Sequence, residues 1–595
     1  MMAGVPKKLV NDPAECVVEN LAGFVASRNN LQLIKDSCVV VRSDLDEYRK
    51  SGKVAVLCGG GSGHEPVFAG YVGRGFLTAA VAGHVFASPP PSRILTAIDA
   101  LRNSAGTVVF VFNYTGDRLN FGLAVERAKT AFPDNGKIRM VVLGDDTALL
   151  SEDRTAGRRG LAGSIIMLKI GGAMAEAGCS VDEIADYCEE VKGQIGTIGL
   201  SLSSCSIPGS GYTFDLGFGQ MELGLGVHGE PGVRRLPVAT AAETIHFMLD
   251  HMTKPNSTRF HIEQGSSVGV LINNLGATTQ LEMNISAGEV LKWLNERNVT
   301  VQRFLTGTLM TSLEMHGFSV SLFTFDSLFL KYLDAETDCV AWPRVSYKPD
   351  FEGHSLVQSQ YTLQSSAVTD TSAEGKNYEQ FTADQCVLFK SCVQSACEHM
   401  MAQEQELNSL DSEAGDGDCG TTIKYGSQAV LRLLSETPDA FRSPSAAFTA
   451  MSMAFEGSTG GTTGPIYGII LSSMASALQK NISDAHSWLT GLQTAFQTVM
   501  QYGGAQPGDR TMIDALLPAV TELESLLSAN ANASVIECLR AVDKGATAGA
   551  AKTVSMKAKA GRASYVGAVT LTQPDAGAQA VASWFQGIVK RLSGQ

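Results

Sequence analysis

The sequence predicts an α/β domain followed by an all-α domain, on three observations. Residues 1–344 alternate short β-branched runs with glycine-bearing turns and longer amphipathic stretches, which is α/β patterning. Residues 378–595 carry long Ala-, Leu-, Met- and Gln-rich stretches at helical spacing, and few strand signals. Between them, 345–377 dissolves into Ser, Gln, Thr and Glu without hydrophobic periodicity, and this segment is predicted to be a flexible linker. At 595 residues the chain also exceeds the size at which one hydrophobic core stops growing.

In the first domain, strands are expected at 53–58, 107–112 and 138–143, each ending in a polar, glycine-bearing segment: 59–66, 113–117 and 144–146. Ligands of open α/β sheets collect at such strand ends. In the second domain, helices are expected over 384–407, 483–502 and 511–529, interrupted by glycine-rich loops at 415–420, 457–464 and 503–508. The regular placement of these loops suits convergence on a phosphate ligand.

Hydrophobic residues make up 44% of the chain, enough to fill two cores, and the formal net charge is -14. Nucleic-acid binding needs clustered Lys and Arg, so that class is excluded as an expectation. No apolar stretch reaches bilayer length and the first residues lack a secretory apolar segment, so a soluble, cytoplasmic protein with no membrane partner is expected. The 12 cysteines contain no Cys-x-x-Cys pair and read as reduced thiols rather than zinc ligands or a disulfide framework. Asn-x-Ser/Thr triplets such as Asn113-Tyr114-Thr115 carry no weight without export.

Three constellations carry chemistry in the first domain. Gly59-Gly60-Gly61-Ser62-Gly63-His64-Glu65-Pro66 follows an apolar strand and would offer bare amides and an imidazole to a small polar substrate. Taken alone, it reads equally well as a structural glycine turn. Asp117, in Asn113-Tyr114-Thr115-Gly116-Asp117-Arg118, is a candidate general base, although Asp beside Gly is more often a cap or turn residue. His228 sits among small residues in Gly226-Val227-His228-Gly229-Glu230-Pro231-Gly232, which favours ligand approach; spacing alone leaves a nucleophile and an ordinary surface histidine both open. Gly157-Arg158-Arg159-Gly160 is a further motif.

In the second domain, Asp411, Asp416 and Asp418 are separated by small residues that let the backbone fold around a hard cation such as Mg²⁺, with a solvated acidic turn as the alternative. An EF-hand fails because Gly420 stands where an oxygen ligand belongs. Gly457-Ser458-Thr459-Gly460-Gly461-Thr462-Thr463-Gly464 leads into an apolar run and suits a phosphate cradle at a helix start, or a plain connector. Residues 545–553 imitate a Walker A loop but carry Ala550 and Ala551 where its glycine and lysine belong, and no dinucleotide fingerprint fits.

Together these motifs, with Pro507-Gly508-Asp509-Arg510-Thr511-Met512, resemble in order and domain the single-chain, ATP-dependent dihydroxyacetone kinases, the animal triokinase/FMN cyclase branch in particular. The resemblance spans nearly the whole chain. It implies a K-type α/β substrate domain and an L-type helical-barrel ATP domain. It implies that ATP is bound through Mg²⁺ on Asp411, Asp416 and Asp418. It makes His228 the residue that adds to the carbonyl of dihydroxyacetone or D-glyceraldehyde as a hemiaminal, with Gly61, Ser62, Gly63, His64 and the Phe112 position lining the pocket and Asp117, with His64, handling the hydroxyl proton. Glycerol, which has no carbonyl, would not be held. Nucleotide contacts would continue through Cys419, Gly420, Thr421, Thr462, Thr463, Gly503, Thr511, Met512, Asp575, Ala576 and Gly577.

The resemblance also implies a second activity, cleavage of FAD to AMP and riboflavin cyclic 4′,5′-phosphate with Mn²⁺ or Co²⁺, and a homodimer. One residue departs from the pattern: the family commonly has Lys immediately before Asn-Tyr-Thr-Gly-Asp, and here Phe112 stands there. Loss of that cation makes a cyclase-dominant enzyme with impaired kinase activity the alternative reading. A non-enzymatic regulatory protein is the other.

Overall fold

The computed structural model describes residues 7–132, 136–148, 157–253, 260–349, 378–413, 415–560 and 571–594. The chain divides into two compact units, Met1–Leu356 and Val357–Gln595. Most of the expected linker, 350–377, lies outside the described residues.

The first unit begins with α1 (Cys16–Ala26), β1 (Leu31–Ile34), β2 (Val39–Arg42), α2 (Leu45–Lys50), β3 (Ala55–Ser62), β4 (Ala79–Val85), α3 (Pro91–Ala100), β5 (Thr107–Phe112), α4 (Thr115–Ala131) and β6 (Ile138–Leu143). It continues with α5 (Ser164–Glu176), α6 (Val181–Val191), β7 (Ile195–Ser201), β8 (Gln220–Leu223), β9 (Arg234–Pro237), α7 (Ala241–Thr253), β10 (Ser267–Asn274), α8 (Gln280–Asn295), β11 (Thr300–Gly307), β12 (Gly317–Phe323), α9 (Ser327–Leu333) and β13 (Ser346–Tyr347). A six-stranded sheet has the order β1-β2-β4-β3-β5-β6, and a seven-stranded sheet the order β13-β11-β10-β12-β7-β8-β9.

In the first sheet β4, β3, β5 and β6 run parallel. Helices cover both faces: one apolar cluster includes Phe110, Ile165, Ile166 and Ile184, the other Val109, Val111, Ile94 and Phe121. That explains why β3 and β5 read as unbroken apolar runs rather than alternating ones, since both faces of a parallel sheet are buried. The expected first strand stops at 58, whereas β3 runs on through the glycines to Ser62. A Cβ on Gly59 would stand 2.4 Å from the Val81 carbonyl oxygen of β4, so glycine here permits close strand approach instead of a turn. The second sheet is mixed, parallel at β10/β11 and antiparallel elsewhere. Its last pair brings β13, inside the segment expected as linker, against β11.

The second unit contains α10 (Ala383–Ala402), α11 (Glu404–Ser412), α12 (Cys419–Glu436), α13 (Pro444–Ser458), α14 (Thr463–Ala477), α15 (Ala485–Gly503), α16 (Ile513–Ala529), α17 (Val535–Lys552) and α18 (Ala576–Leu592). No strand occurs among its described residues. The helix expected over 384–407 is two, broken at Gln403. From α12 to α18 each helix packs on the next, α10 packs on α12, and α18 packs back on α10, so the helices close into a ring. They enclose an apolar cavity of about 490 Å³ lined by Phe389, Phe448, Phe455, Leu471, Trp488 and Trp584 among others. The imitation of a Walker A loop is helix α17: Cβ atoms on Gly545 and Gly549 would stand 2.4 and 2.1 Å from carbonyl oxygens of α16, so these glycines serve helix packing.

Candidate active site

In the first unit, the C-terminal ends of β3 and β5 meet the β8–β9 loop of the other sheet. His64 follows β3 and is 3% exposed; its Nδ1 lies 2.9 Å from the Thr311 carbonyl oxygen, 247 residues away. A carbonyl only accepts, so Nδ1 carries the hydrogen and Nε2 the lone pair. That Nε2 has no hydrogen-bond partner within the protein. Burial, aided by the charge of His228, lowers the His64 pKa to about 3 despite the Thr311 carbonyl. The ring is therefore a neutral acceptor at physiological pH.

Asp117 stands in the first turn of α4 and is 7% exposed; its Oδ1 is likewise without a partner. Burial raises its pKa to about 6, against the Ser88 hydroxyl and the His228 charge, which lower it. A carboxylate poised there exchanges protons near neutrality.

His228 lies between β8 and β9 with a quarter of its side chain exposed. Its ring is boxed edge-on by His64, Tyr114 and Phe86, with centroids 4.9, 5.0 and 5.2 Å away. Its Nδ1 lies 2.8 Å from Glu230 Oε1, and its backbone N–H donates to Glu230 Oε2 at 3.0 Å. Burial works to raise the Glu230 carboxyl, but His228 and the backbone amides bring it down to about 2.

Other members of the expected pocket are placed differently. The Ser62 hydroxyl donates to the Gly83 carbonyl at 2.8 Å and the Gly63 amide to the Glu65 carboxylate at 3.0 Å. A Cβ on Gly61 would stand 2.8 Å from the Ala87 nitrogen, and Gly63 holds φ +94° against Phe86. These residues are buried and shape the backbone beneath His64; the Gly63 amide is already engaged, contrary to the expectation of bare amides. Phe112 ends β5, 2% exposed, edge-on to Phe68 at 5.1 Å within an apolar cluster.

In the second unit, carboxylate oxygens of Asp411, Asp416 and Asp418 all lie within 4.8 Å of one another. Asp411, at the end of α11, is oriented by the backbone N–H groups of Gly417 and Asp418, which donate to its Oδ2 at 2.9 and 3.1 Å. Gly417 turns the chain at φ +76°. Three hard oxygen donors on a tight turn, two of them on exposed residues, fit an Mg²⁺ ion that keeps water and substrate phosphate as its other ligands.

Cys419, Gly420 and Thr421 form the first turn of α12, where the helix dipole favours anions, although the Cys419 N–H donates to Asp411 Oδ2 at 3.4 Å and the Thr421 N–H to Asn408 Oδ1 at 3.1 Å. Asp575 caps α18 and accepts from the Ala578 N–H at 2.9 Å. Burial, reinforced by Asp514 and Asp411, raises its pKa to about 6 although Arg510 opposes. Ala576 opens α18, and Gly577 faces Met512: a Cβ on Gly577 would lie 3.6 Å from Met512 Cβ. The Thr511 N–H donates to Asp514 Oδ2 at 2.9 Å. Thr462 and Thr463 start α14, whose Tyr467 packs in one apolar cluster with Cys419. Gly503 ends α15, exposed, with open space around it.

Sequence reasoning assigned no role to Glu230, Ser88, Thr311, Asp514 or Asn408. Glu230 was legible as the acid two residues beyond His228; the others come from distant segments and left no local signal.

Fold and sites define a two-domain protein with a cluster of reactive side chains, two of them buried, in the first unit and an acidic loop in the second. The Dak1 domain model matches residues 22–341 and the DAK2 domain model residues 413–590. The chain belongs to the dihydroxyacetone kinase family: it is 42% identical over 592 residues to the triokinase/FMN cyclase of Bos taurus, covering 99% of each. It is 33% identical to dihydroxyacetone kinase 1 of Saccharomyces cerevisiae, covering 98% of this chain and 99% of that one. The dihydroxyacetone kinase of C. freundii superposes with a TM-score of 0.65 at 31% identity, covering 98% and 99%; that enzyme is also known in complex with AMP-PNP and Mg²⁺. Among the described residues no helix is long and apolar enough to cross a membrane.

Proposed function

We propose that this protein transfers the γ-phosphoryl group of ATP to dihydroxyacetone and D-glyceraldehyde, and that its metal-nucleotide site also splits FAD into AMP and riboflavin cyclic 4′,5′-phosphate. The family and the names of its relatives support both activities. The observation that carries the kinase reading is the pair of buried acceptors, His64 Nε2 and Asp117 Oδ1, unpartnered within the protein near the accessible ring of His228. Leaving such atoms unsatisfied costs about 1–3 kcal/mol each, which a bound polyol relieves.

In this reading His228 Nε2 adds to the substrate carbonyl carbon, and the carbonyl π pair moves to oxygen, which is protonated. Glycerol offers no such carbon. The tethered hydroxyl gives its proton to Asp117 as its oxygen bonds to the γ-phosphorus and the bond to the ADP leaving oxygen breaks, an oriented step whose advantage reaches about 7–11 kcal/mol in favourable cases. Asp411, Asp416 and Asp418 would hold Mg²⁺ for the kinase, and Mn²⁺ or Co²⁺ for the cyclase; the ion supplies positive charge to the phosphates. The remaining nucleotide contacts fall to Cys419–Thr421, Thr462, Thr463, Gly503, Thr511, Met512 and 575–577. The protein acts in the cytoplasm as a homodimer.

A cyclase-dominant enzyme is the second reading, favoured by the apolar surroundings of Phe112, where the family resemblance leads to a lysine being expected. Purified protein with Mg-ATP and dihydroxyacetone, and separately with FAD and Mn²⁺, separates the two. ADP formation that is lost in His228→Ala while AMP formation persists supports the bifunctional reading; AMP without ADP from the unmodified protein selects the second; and neither product overturns both.

A further inference from the structure

The Gly226–Gly232 loop holds more than the ring of His228. Glu230 grips His228 twice, at the ring Nδ1 and at the backbone N–H. Arg159, from the Gly157-Arg158-Arg159-Gly160 motif, approaches the same carboxylate: an ideal Cβ on Gly226 would stand 2.0 Å from Glu230 Oε2 and 2.7 Å from Arg159 Nη1. Glycine at 226 lets both side chains close over the backbone. Arg159 is itself fixed, its Nε on Asp146 Oδ2 at 2.6 Å and its Nη2 on the Gly224 carbonyl at 2.6 Å. Arg158 anchors the segment by donating to the carbonyls of Asp145, Asp146 and Ile195.

We infer that Glu230 is a positioning residue which, with the charge of Arg159 nearby, holds the proton of His228 on Nδ1 so that Nε2 presents its lone pair to the substrate carbonyl. The inference rests on the reading of His228 as the carbonyl-capturing residue. A carboxylate can only accept while ionised, so the nitrogen it faces is the protonated one. The side chains around Glu230 and His228 are Arg159, Tyr114, His64, Phe86 and Asp146, with Asp117 close enough to feel the ring's charge. The Tyr114 hydroxyl donates to the Gly160 carbonyl at 3.2 Å, and His64 is neutral; the other anions are Asp117 and the Arg159-paired Asp146. Glu230 is thus the anion bonded to the ring.

The covalent step balances as follows. Nε2 donates its pair to the carbonyl carbon, the carbonyl oxygen takes the π pair and one proton from solvent, and the ring becomes an imidazolium whose Nδ1–H stays on Glu230. One proton is taken up, and the new positive charge faces a negative one. Glu230 therefore favours the adduct as well as the tautomer, as a carboxylate does when it holds a catalytic imidazole.

Nitrogen-15 NMR of imidazole-labelled full-length protein tests the first part without any variant: protonated Nδ1 and bare Nε2 on His228 are expected, and the opposite tautomer overturns the inference. Titration with carbonyl-carbon-13 dihydroxyacetone then reads the adduct directly. Glu230→Gln keeps the shape and removes the charge; its adduct should form about tenfold more weakly or worse, with His228 in mixed tautomers, while Mg-ATP binding holds. Arg159→Met should weaken the adduct in the same direction. An adduct equally strong in Glu230→Gln overturns this inference and leaves the carbonyl-capturing role of His228 standing. No adduct in the unmodified protein overturns both.

Discussion

His64 and His228 meet edge to face, ring centroids 4.9 Å apart at 71°, and the two rings are held in different surroundings. His64 is enclosed and tied to a carbonyl, whereas His228 is partly open and tied to a carboxylate. The enclosed ring suits accepting a hydroxyl, and the open one suits attack on a carbonyl.

Asp117 should make activity and stability move in opposite directions with pH. Its folded pKa of about 6 lies above the ordinary carboxylate value, so its protonated form favours the fold. That contribution is full below the unfolded pKa and lost as pH rises through about 6, about 1–3 kcal/mol in all. Kinase activity should rise over the same window, as the carboxylate forms. Asp117→Asn should lower kcat by about 10²–10⁴-fold and flatten this part of the stability profile; urea unfolding of both proteins between pH 4 and pH 8 (about two units either side of the transition) reads the difference.

Asp416→Asn removes one oxygen ligand from an exposed loop and should leave the fold intact. It should weaken Mg-ATP binding by about tenfold or more, and with it both ADP and AMP formation, while the dihydroxyacetone adduct on His228 still forms. Calorimetry with Mg-ATP measures the first effect and carbon-13 NMR the second. Asp411→Asn should also cost stability, because its carboxylate organises the loop amides.

Gly59→Ala should destabilise the first unit by about 1–3 kcal/mol. The added methyl carbon would fall 2.4 Å from the Val81 carbonyl oxygen, which β4 cannot yield without shifting the β3–β4 pair. A lower chemical-denaturation midpoint for the first unit, with unaltered Mg-ATP binding, is the expected result.

Co-expression of His228→Ala with Asp416→Asn chains tests whether halves of different chains serve each other within the homodimer. Each variant alone should be inactive as a kinase. If the halves serve each other across chains, the mixed dimer regains one intact pairing and about half of the normal turnover per dimer; no recovery in a dimer shown to contain both chains rules the exchange out.

Much of the site was legible because its parts are local. Asp411, Asp416 and Asp418 fall on one turn of backbone, so spacing and small neighbours suffice to bring them together. His228 and Asp117 were visible as reactive residue types next to glycine. The Gly63 amide is not bare as expected, because the Glu65 carboxylate reaches it only once the chain has folded. The helix at 384–407 was overrun past Gln403 because periodicity continues where the axis changes.

By itself the sequence determined the α/β and all-α halves, through hydrophobic period and composition, and the acidic loop, through spacing. Only the tertiary structure decided which atoms face one another. The proton on His64 is placed by the distant Thr311 carbonyl, the raised Asp117 pKa comes from burial beneath a fold, and the arm of Arg159 over Glu230 joins two loops. Secondary structure follows from interactions a few residues apart, but desolvation and directional hydrogen bonds depend on segments that meet only after the chain has packed.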